Sequence, residues 1–349
     1  MPDPDYSDFF PDEDDRPIPE PVLPDKPIEH FTEGPEEKAR IALYCENAPE
    51  VGIHPGIDFD TYLGWQAVDC SLLKAMAHTP SMARLRMTTP EADKPAYLLG
   101  RLFHMAATQP DLVEQEFAVR PATYTHKKET GRAPNKIVVE EERKWNGNAT
   151  ECKRTYALWK ENGIEMVKPD DWDLAHGMAE SVRKHPKLGR LIDGGEMEVS
   201  AVWIDPTHQI PMKARFDIRK NRLLCDLKST TIAAEDAWMY QAYRFKYHMQ
   251  AAIYIDAQLA LDPPDEYSWF IFAAVEKYPP FALTVWDVMD TPDSQSYTFL
   301  QLGRAKYKTL LGRFRYCLGH DDWPGYEVEH RDMMLPRSAE AELSTFGLA

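Results

Sequence analysis

No stretch of this 349-residue chain approaches the ~20 consecutive apolar residues that a membrane-spanning helix requires. The opening MPDPDYSDFF is acidic and lacks an apolar core segment, which argues against a secretory signal. Cysteine is sparse: Cys45, Cys70, Cys152, Cys225 and Cys317 lie far apart, with no CxxC pair. Neither a disulfide framework nor a zinc knuckle is expected, and reduced thiols fit a cytoplasmic protein. With Cys317 alone near the C-terminus, an Fe–S cluster has no ligand set. A Gly-rich phosphate loop, GxSxG and HExxH are also absent, which leaves small-molecule enzymes poorly supported.

Positive charge is short too. The net charge of −17 argues at first against a nucleic-acid partner. Residues 1–37, however, hold 13 Asp and Glu against Arg16 and Lys26, so −11 of the −17 sits there. That Pro-rich, acidic segment has few large apolar residues and reads as a disordered, solubilising tail. From residue 38 onward the chain is nearly balanced and reads as one domain.

Helices are predicted where caps and apolar spacing coincide: around DCSLLKAMAH after Asp69 or Ser71, over KPAYLLGRLFHMAAT, over 151–162 and over 169–184. Residues 121–150 are polar and basic and read as a loop or insertion. The period then changes to two: EMEVSAVWID, PMKARFDIR and RLLCDLKST alternate like strands, separated by DPTHQ and Lys220–Asn221. A long helical run, TIAAEDAWMYQAYRFKYHMQAAIYIDAQLAL, follows. Two more strands flank YPP, and a C-terminal helix spans most of 293–319. The sum is an α+β fold with a central mixed or antiparallel sheet flanked by helices.

The hairpin RFDIRKNRLLCDLKST carries the chemistry. Alternation puts Asp226 and Lys228 on one face and Leu223, Cys225 and Leu227 on the other. Across the turn, Asp217 can stand near Asp226. Two close carboxylates repel unless a cation lies between them, and hard oxygen ligands suit Mg²⁺ or Mn²⁺. Lys228 would position a water nucleophile and stabilise charge on phosphorus. The spacing alone is equally that of a solvent-facing ion pair with a turn aspartate. Further along, Tyr247, Gln250 and Tyr254 fall on one helical stripe, an ordinary core pattern except that a buried amide needs partners. His104 lies late in a helix, where a lone histidine is often structural. Of the strand carboxylates Glu196 and Glu198, pattern alone does not choose.

Taken in order, Gly100–His104, Glu198, Phe216–Asp217, Asp226–Leu227–Lys228–Ser229–Thr230 and Gln250–Tyr254 resemble the RecB-type branch of the PD-(D/E)XK nucleases. The flanks SLLKAMAHTPSMARL, HPKLGRLIDGGEMEVSAVWID, YRFKYHMQAAIYID, FAAVEKYPPF and WPGY are similar to the exodeoxyribonuclease VIII (RecE-like) nuclease domain of phages and prophages, over roughly residues 60–340. The resemblance implies a restriction-endonuclease-like core and metal ligation by Asp217, Asp226 and the Leu227 backbone carbonyl, with His104 and Glu198 completing the site. It implies that Lys228 positions the nucleophile and that Gln250 and Tyr254 orient the catalytic strand or phosphate. The activity implied is Mg²⁺-dependent 5′ to 3′ digestion of duplex DNA ends in a bacterial host's cytoplasm, leaving 3′ single strands for recombination. A ring-shaped homo-oligomer, with a tetramer among the forms implied, and a single-strand annealing protein are the implied partners.

Local positive charge offers DNA contacts despite the net balance. Arg215, Arg219, Lys220 and Arg222 flank the hairpin, with Tyr247 as a further DNA-facing candidate. Arg304, Lys306, Lys308, Arg313 and Arg315 line the C-terminal helix among Tyr307, Phe314 and Tyr316. The alternative for that helix is a solvated face. Lys127, Lys128 and Arg132 pose the same choice. Rival readings are a repair- or restriction-type endonuclease on the same fold and a catalytically inactive DNA-end-binding scaffold.

Overall fold

The computed structural model describes residues 33–89, 95–131, 136–263 and 269–326. Five helices come first: α1 (Pro35–Glu46), α2 (Phe59–Gly64), α3 (Cys70–His78), α4 (Pro80–Thr88) and α5 (Pro95–Thr108), with strand β1 (Gly52–His54) after α1. Next come α6 (Val113–Glu116), β2 (Phe117–Val119), β3 (Thr123–Thr130), β4 (Ile137–Lys144), α7 (Thr150–Glu161) and β5 (Glu165–Val167). Two helices, α8 (Pro169–Lys184) and α9 (Pro186–Ile192), lead into β6 (Glu196–Ile204), β7 (Pro211–Lys220) and β8 (Leu223–Thr230). The chain ends with α10 (Glu235–Arg244), α11 (Tyr247–Leu261), β9 (Trp269–Glu276), β10 (Leu283–Met289) and α12 (Tyr297–His320).

The main sheet has strand order β1-β6-β7-β8-β9-β10. All its pairings are antiparallel except β8 with β9, which run parallel along their full length. Hydrophobic side chains fill both faces. One core packs Phe216, Leu224, Phe270 and Phe272 against α1, α3, α10, α11 and α12. The other packs Ile218, Cys225, Leu227 and Ile271 against α5, α8 and α9. Full burial of a side chain such as Phe272 stabilises by roughly 1.5–3 kcal/mol, so two such cores hold the central strands firmly.

Helix ends follow local chemistry. The Asp69 carboxylate accepts from Leu72 N at 2.7 Å and starts α3, and Thr79 Oγ1 accepts from Met82 N and starts α4. Helix α12 lies close against α11 because Gly303 has no side chain: a Cβ there would fall 1.9 Å from the His248 carbonyl oxygen. That contact fixes the helix carrying Tyr247, Gln250 and Tyr254.

Three expectations are revised. Residues 121–150 contain the antiparallel β3–β4 hairpin, not only a loop. Its strands are largely exposed, and cross-strand partners such as Lys127 and Glu140 hold it where burial does not. The single long helix after β8 is two helices, because Lys246 takes the left-handed conformation (φ 58°) between α10 and α11. The hairpin turn sits at Asn221–Arg222, both at positive φ, one residue beyond Lys220–Asn221. The proposed tail lies outside the described residues up to 32. At its inner end, α1 begins at Pro35, ahead of the boundary at 38, and Glu33 accepts from Arg315 at 2.6 and 2.9 Å. Arg132 lies outside the described residues.

Candidate active site

The site forms where β7 and β8 part. They pair only over Ile218–Lys220 and Leu223–Cys225. Beyond Ile218 the ladder stops, and the Asp217 carboxylate takes over: its Oδ2 accepts from Leu227 N at 2.7 Å. A side chain thus does the work of a missing strand carbonyl, which places a buried carboxylate in the fork.

On β6, the register places Glu198 opposite Asp217, since Met197 pairs with Ile218 and Val199 with Phe216. Glu198 itself has φ 52°, an uncommon conformation for a non-glycine residue and the only such value within a main-sheet strand among the described residues. The Glu198 carboxylate is held by Arg215, whose Nε lies 2.8 Å from Oε2, while Arg215 also donates to the Ile57 carbonyl at 2.7 Å. Glu196, by contrast, pairs with Arg219 away from the fork. The structure therefore selects Glu198 over Glu196 as the site's glutamate.

From α5, on the opposite core, His104 Nδ1 comes within 3.3 Å of Asp217 Oδ2. Ligand atoms of His104, Glu198 and Asp217 all lie within 4.8 Å of one another, a spacing that one metal ion can span. From α11, Gln250 Nε2 donates to Asp226 Oδ1 at 2.6 Å. Asp226 Oδ2 is in contact with the Lys228 ammonium, a buried ion pair on one face of β8. Lys228 Nζ lies 5.0 Å from the centroid of the Tyr247 ring. Tyr254 packs edge-on against Phe216 at 5.2 Å and Phe270 at 5.8 Å, and its side chain hydrogen-bonds with Gln250.

The electrostatics reflect crowding. Burial pushes the Asp226 carboxyl up to about 6, with Lys228 opposing and the Asp217 charge adding to the rise. Burial also raises Glu198, and the Asp217 charge raises it further. For Asp217 burial works upward, but the His104 charge and hydrogen bond outweigh it and lower the pKa. For His104 burial works downward, but the same carboxylate prevails and pushes it up to about 9. Lys228 is raised because Asp226 outweighs burial.

A divalent cation fits this donor set. Hard oxygen and imidazole ligand atoms of His104, Glu198 and Asp217 converge within 4.8 Å of one another, the donor chemistry such an ion takes. His104, Glu198 and Asp217 would hold it, with Asp226 beside them. When bound, such an ion supplies Lewis-acid stabilisation of phosphoryl charge and an acidified water. Within the chain itself, Gln250 fixes the Asp226 carboxylate, Arg215 fixes Glu198, and Lys228 presents its ammonium at the mouth of the fork. The Leu227 amide is spent on Asp217.

The cations suggested as DNA contacts are mostly engaged within the fold. Arg219 and Arg222 share Asp262, and Lys220 donates to the Arg190 and Asp193 carbonyls. Arg304 bridges Asp256 and Asp290, Lys308 pairs with Asp205, and Arg315 with Glu33. Lys306 lies over the Tyr243 ring at 5.0 Å. These pairings engage the hairpin's far end and much of the face of α12 within the fold; among the described residues Arg313 shows no such pairing. One residue near the fork went unremarked in the sequence: Lys74 on α3, a lone cation in the apolar run SLLKAMA, also reaches the Tyr247 ring.

Residues 69–334 match the family described as "PDDEXK-like domain of unknown function (DUF3799)". No curated protein matches the chain. Among solved structures, a Eubacterium rectale protein described as "Putative exonuclease" is similar at 11% identity and a TM-score of 0.47, covering 81% of this chain and 94% of that one. The structure of SSO0001 is similar at 15% identity and a TM-score of 0.22, covering 45% of this chain and 69% of that one. Among the described residues no helix is long and apolar enough to cross a membrane. Because the family match spans most of the chain and takes in every residue of the fork, this protein belongs to the PDDEXK-like family.

Proposed function

We propose that the protein is a Mg²⁺-dependent exodeoxyribonuclease that digests duplex DNA from its ends, 5′ to 3′, in the cytoplasm. Mn²⁺ is the alternative metal. The observation that carries the hydrolytic part is the fork itself: Asp217 and Asp226 buried beside Lys228, with His104 and Glu198 within reach of one ion. Direction and end-dependence rest on the ordered motifs shared with RecE-like nucleases. The same resemblance supports a ring-forming homo-oligomer, a 3′-tailed product for phage-type recombination and a single-strand annealing partner.

In the reaction, Lys228 would hold the attacking water and meet charge on the phosphorus, while Asp226, fixed by Gln250, would accept its proton.

The test is digestion of linear duplex DNA labelled at its 5′ or 3′ ends, with Mg²⁺ or with EDTA, beside a covalently closed circle. Metal-dependent loss from the 5′ ends, a spared circle and an inert Asp226→Ala variant are expected. A cut circle would replace the exonuclease reading with an endonuclease. Binding to ends without any cleavage would leave a scaffold.

A further inference from the structure

Helix α3 brings a second ammonium to the ring that Lys228 occupies. Lys74 Nζ lies 5.5 Å from the Tyr247 centroid, against 5.0 Å for Lys228. Lys228 has Asp226 as its counter-charge. Lys74 is half-buried and makes no hydrogen bond or ion pair among the described residues.

Its surroundings make this costly. Leu73, Met76 and Ala77 on the same helix are buried and apolar. One turn back, burial raises the Cys70 thiol, which keeps it neutral and unable to serve as a counter-ion. Burial and the like charge of Lys228 both push the Lys74 ammonium toward losing its proton. A ring face compensates only part of this. Lysines in a purely structural role find a partner, as Lys213 does with the Tyr62, Leu63 and Trp65 carbonyls. An ammonium left without one, beside the reacting carboxylate, is a place for an incoming anion.

We propose that Lys74 and Lys228 form one anion position, in which Lys74 donates to a non-bridging phosphate oxygen of the cleaved strand beside the scissile bond. Tyr247 would space the two ammonium groups, its hydroxyl side tied to Gln241, which in turn accepts from Thr230 at the end of β8. The inference rests on the nuclease reading and adds a phosphate-binding residue to it.

The experiment measures kcat/KM on linear duplex DNA with Mg²⁺ across a range of salt concentrations, together with thermal melting, for the wild type, Lys74→Met and Lys74→Arg. Loss of one phosphate contact should lower kcat/KM about tenfold or more for Lys74→Met. Its dependence on log salt should become shallower by about 1. Melting of Lys74→Met should be unchanged or higher, since a buried charge without a partner has been removed. Lys74→Arg should recover most of the activity. A Lys74→Met protein that cuts like the wild type, or loses activity with an unchanged salt slope, would overturn the assignment. So would a lower melting temperature that arginine does not restore. If the wild type itself cleaves nothing, the nuclease reading fails and takes this inference with it.

Discussion

At the turn end of the β7–β8 hairpin, Arg219 donates to Glu196 and Asp262, and Arg222 shares the same Asp262 carboxylate. At the open end, Glu198 and Asp217 face each other beside Asp226, with Arg215, His104 and Lys228 against them, and Lys74 has no ion pair among the described residues. The two ends belong to one hairpin. The first keeps its ion pairs at the surface, as a structural region does. The second gathers three carboxylates and their partners in a largely buried setting, where holding charge is costly. Such an arrangement persists only because the two cores around it hold the backbone, and it leaves carboxylates available for a cation.

The sharpest way to break this comparison uses two residues two positions apart on β7. Asp217→Asn keeps a group that can accept from Leu227 N but removes the charge. Cleavage should fall on the order of 10²–10³-fold or more, with melting little changed. Arg219→Met should do the reverse. Removing it leaves Asp262 with Arg222 and leaves the exposed Glu196 to water, so the loss is modest: about 1 kcal/mol of stability, with kcat/KM nearly unchanged. Chemical denaturation and a cleavage assay on both variants check the pair. Equal loss of activity in both would mean that the turn end contacts DNA after all.

A finer comparison sets Glu198 against Glu196, neighbours on one face of β6. Glu198→Gln removes a carboxylate from the His104–Asp217 cluster and should weaken metal affinity or activity by about 10–100-fold. Glu196→Gln touches only Arg219 and should change activity less than twofold, an expectation of about 0.4 kcal/mol at most. A Mg²⁺ titration of cleavage rate separates them. If both variants need the same metal concentration as the wild type, Glu198 is not a ligand.

How much of this was legible beforehand follows the same division. Strands β6 to β8 announced themselves through alternation, and helices α3 and α8 through Asp69 and Pro169, because these signals act over a few residues. Asp217, Asp226, Lys228, Gln250 and His104 were legible as an ordered set. Glu198 was legible only through that ordered resemblance and not from strand pattern, because its place in the fork depends on a positive φ and on cross-strand register. The fate of the cations was equally hidden. Arg304, Lys308 and Arg315 look like a phosphate track until the fold brings them Asp256, Asp290, Asp205 and Glu33 from distant parts of the chain. The β3–β4 hairpin went unread because its strands bury little, so no hydrophobic period marks them.

The effect furthest from the chemistry concerns a buried group outside the fork. His248 on α11 is fully buried between Tyr243 and Phe299, and neither ring nitrogen has a hydrogen-bond partner. Burial, with Lys306, Lys246 and Lys74 adding to it, pushes its pKa down to about 4 from the usual 6.5. Between those values the unfolded chain takes up a proton that the folded chain refuses. Stability from this group is therefore fully present above pH 6.5 and is lost as pH falls toward 4, by at most about 1.4 kcal/mol per pH unit. His248→Phe should flatten the pH dependence of denaturation in that window and leave cleavage at neutral pH intact. An unchanged slope would show that a carboxylate held down in the fold, such as Asp217 beside His104, governs the acid limb instead. The open end of the hairpin would then set acid stability as well as chemistry.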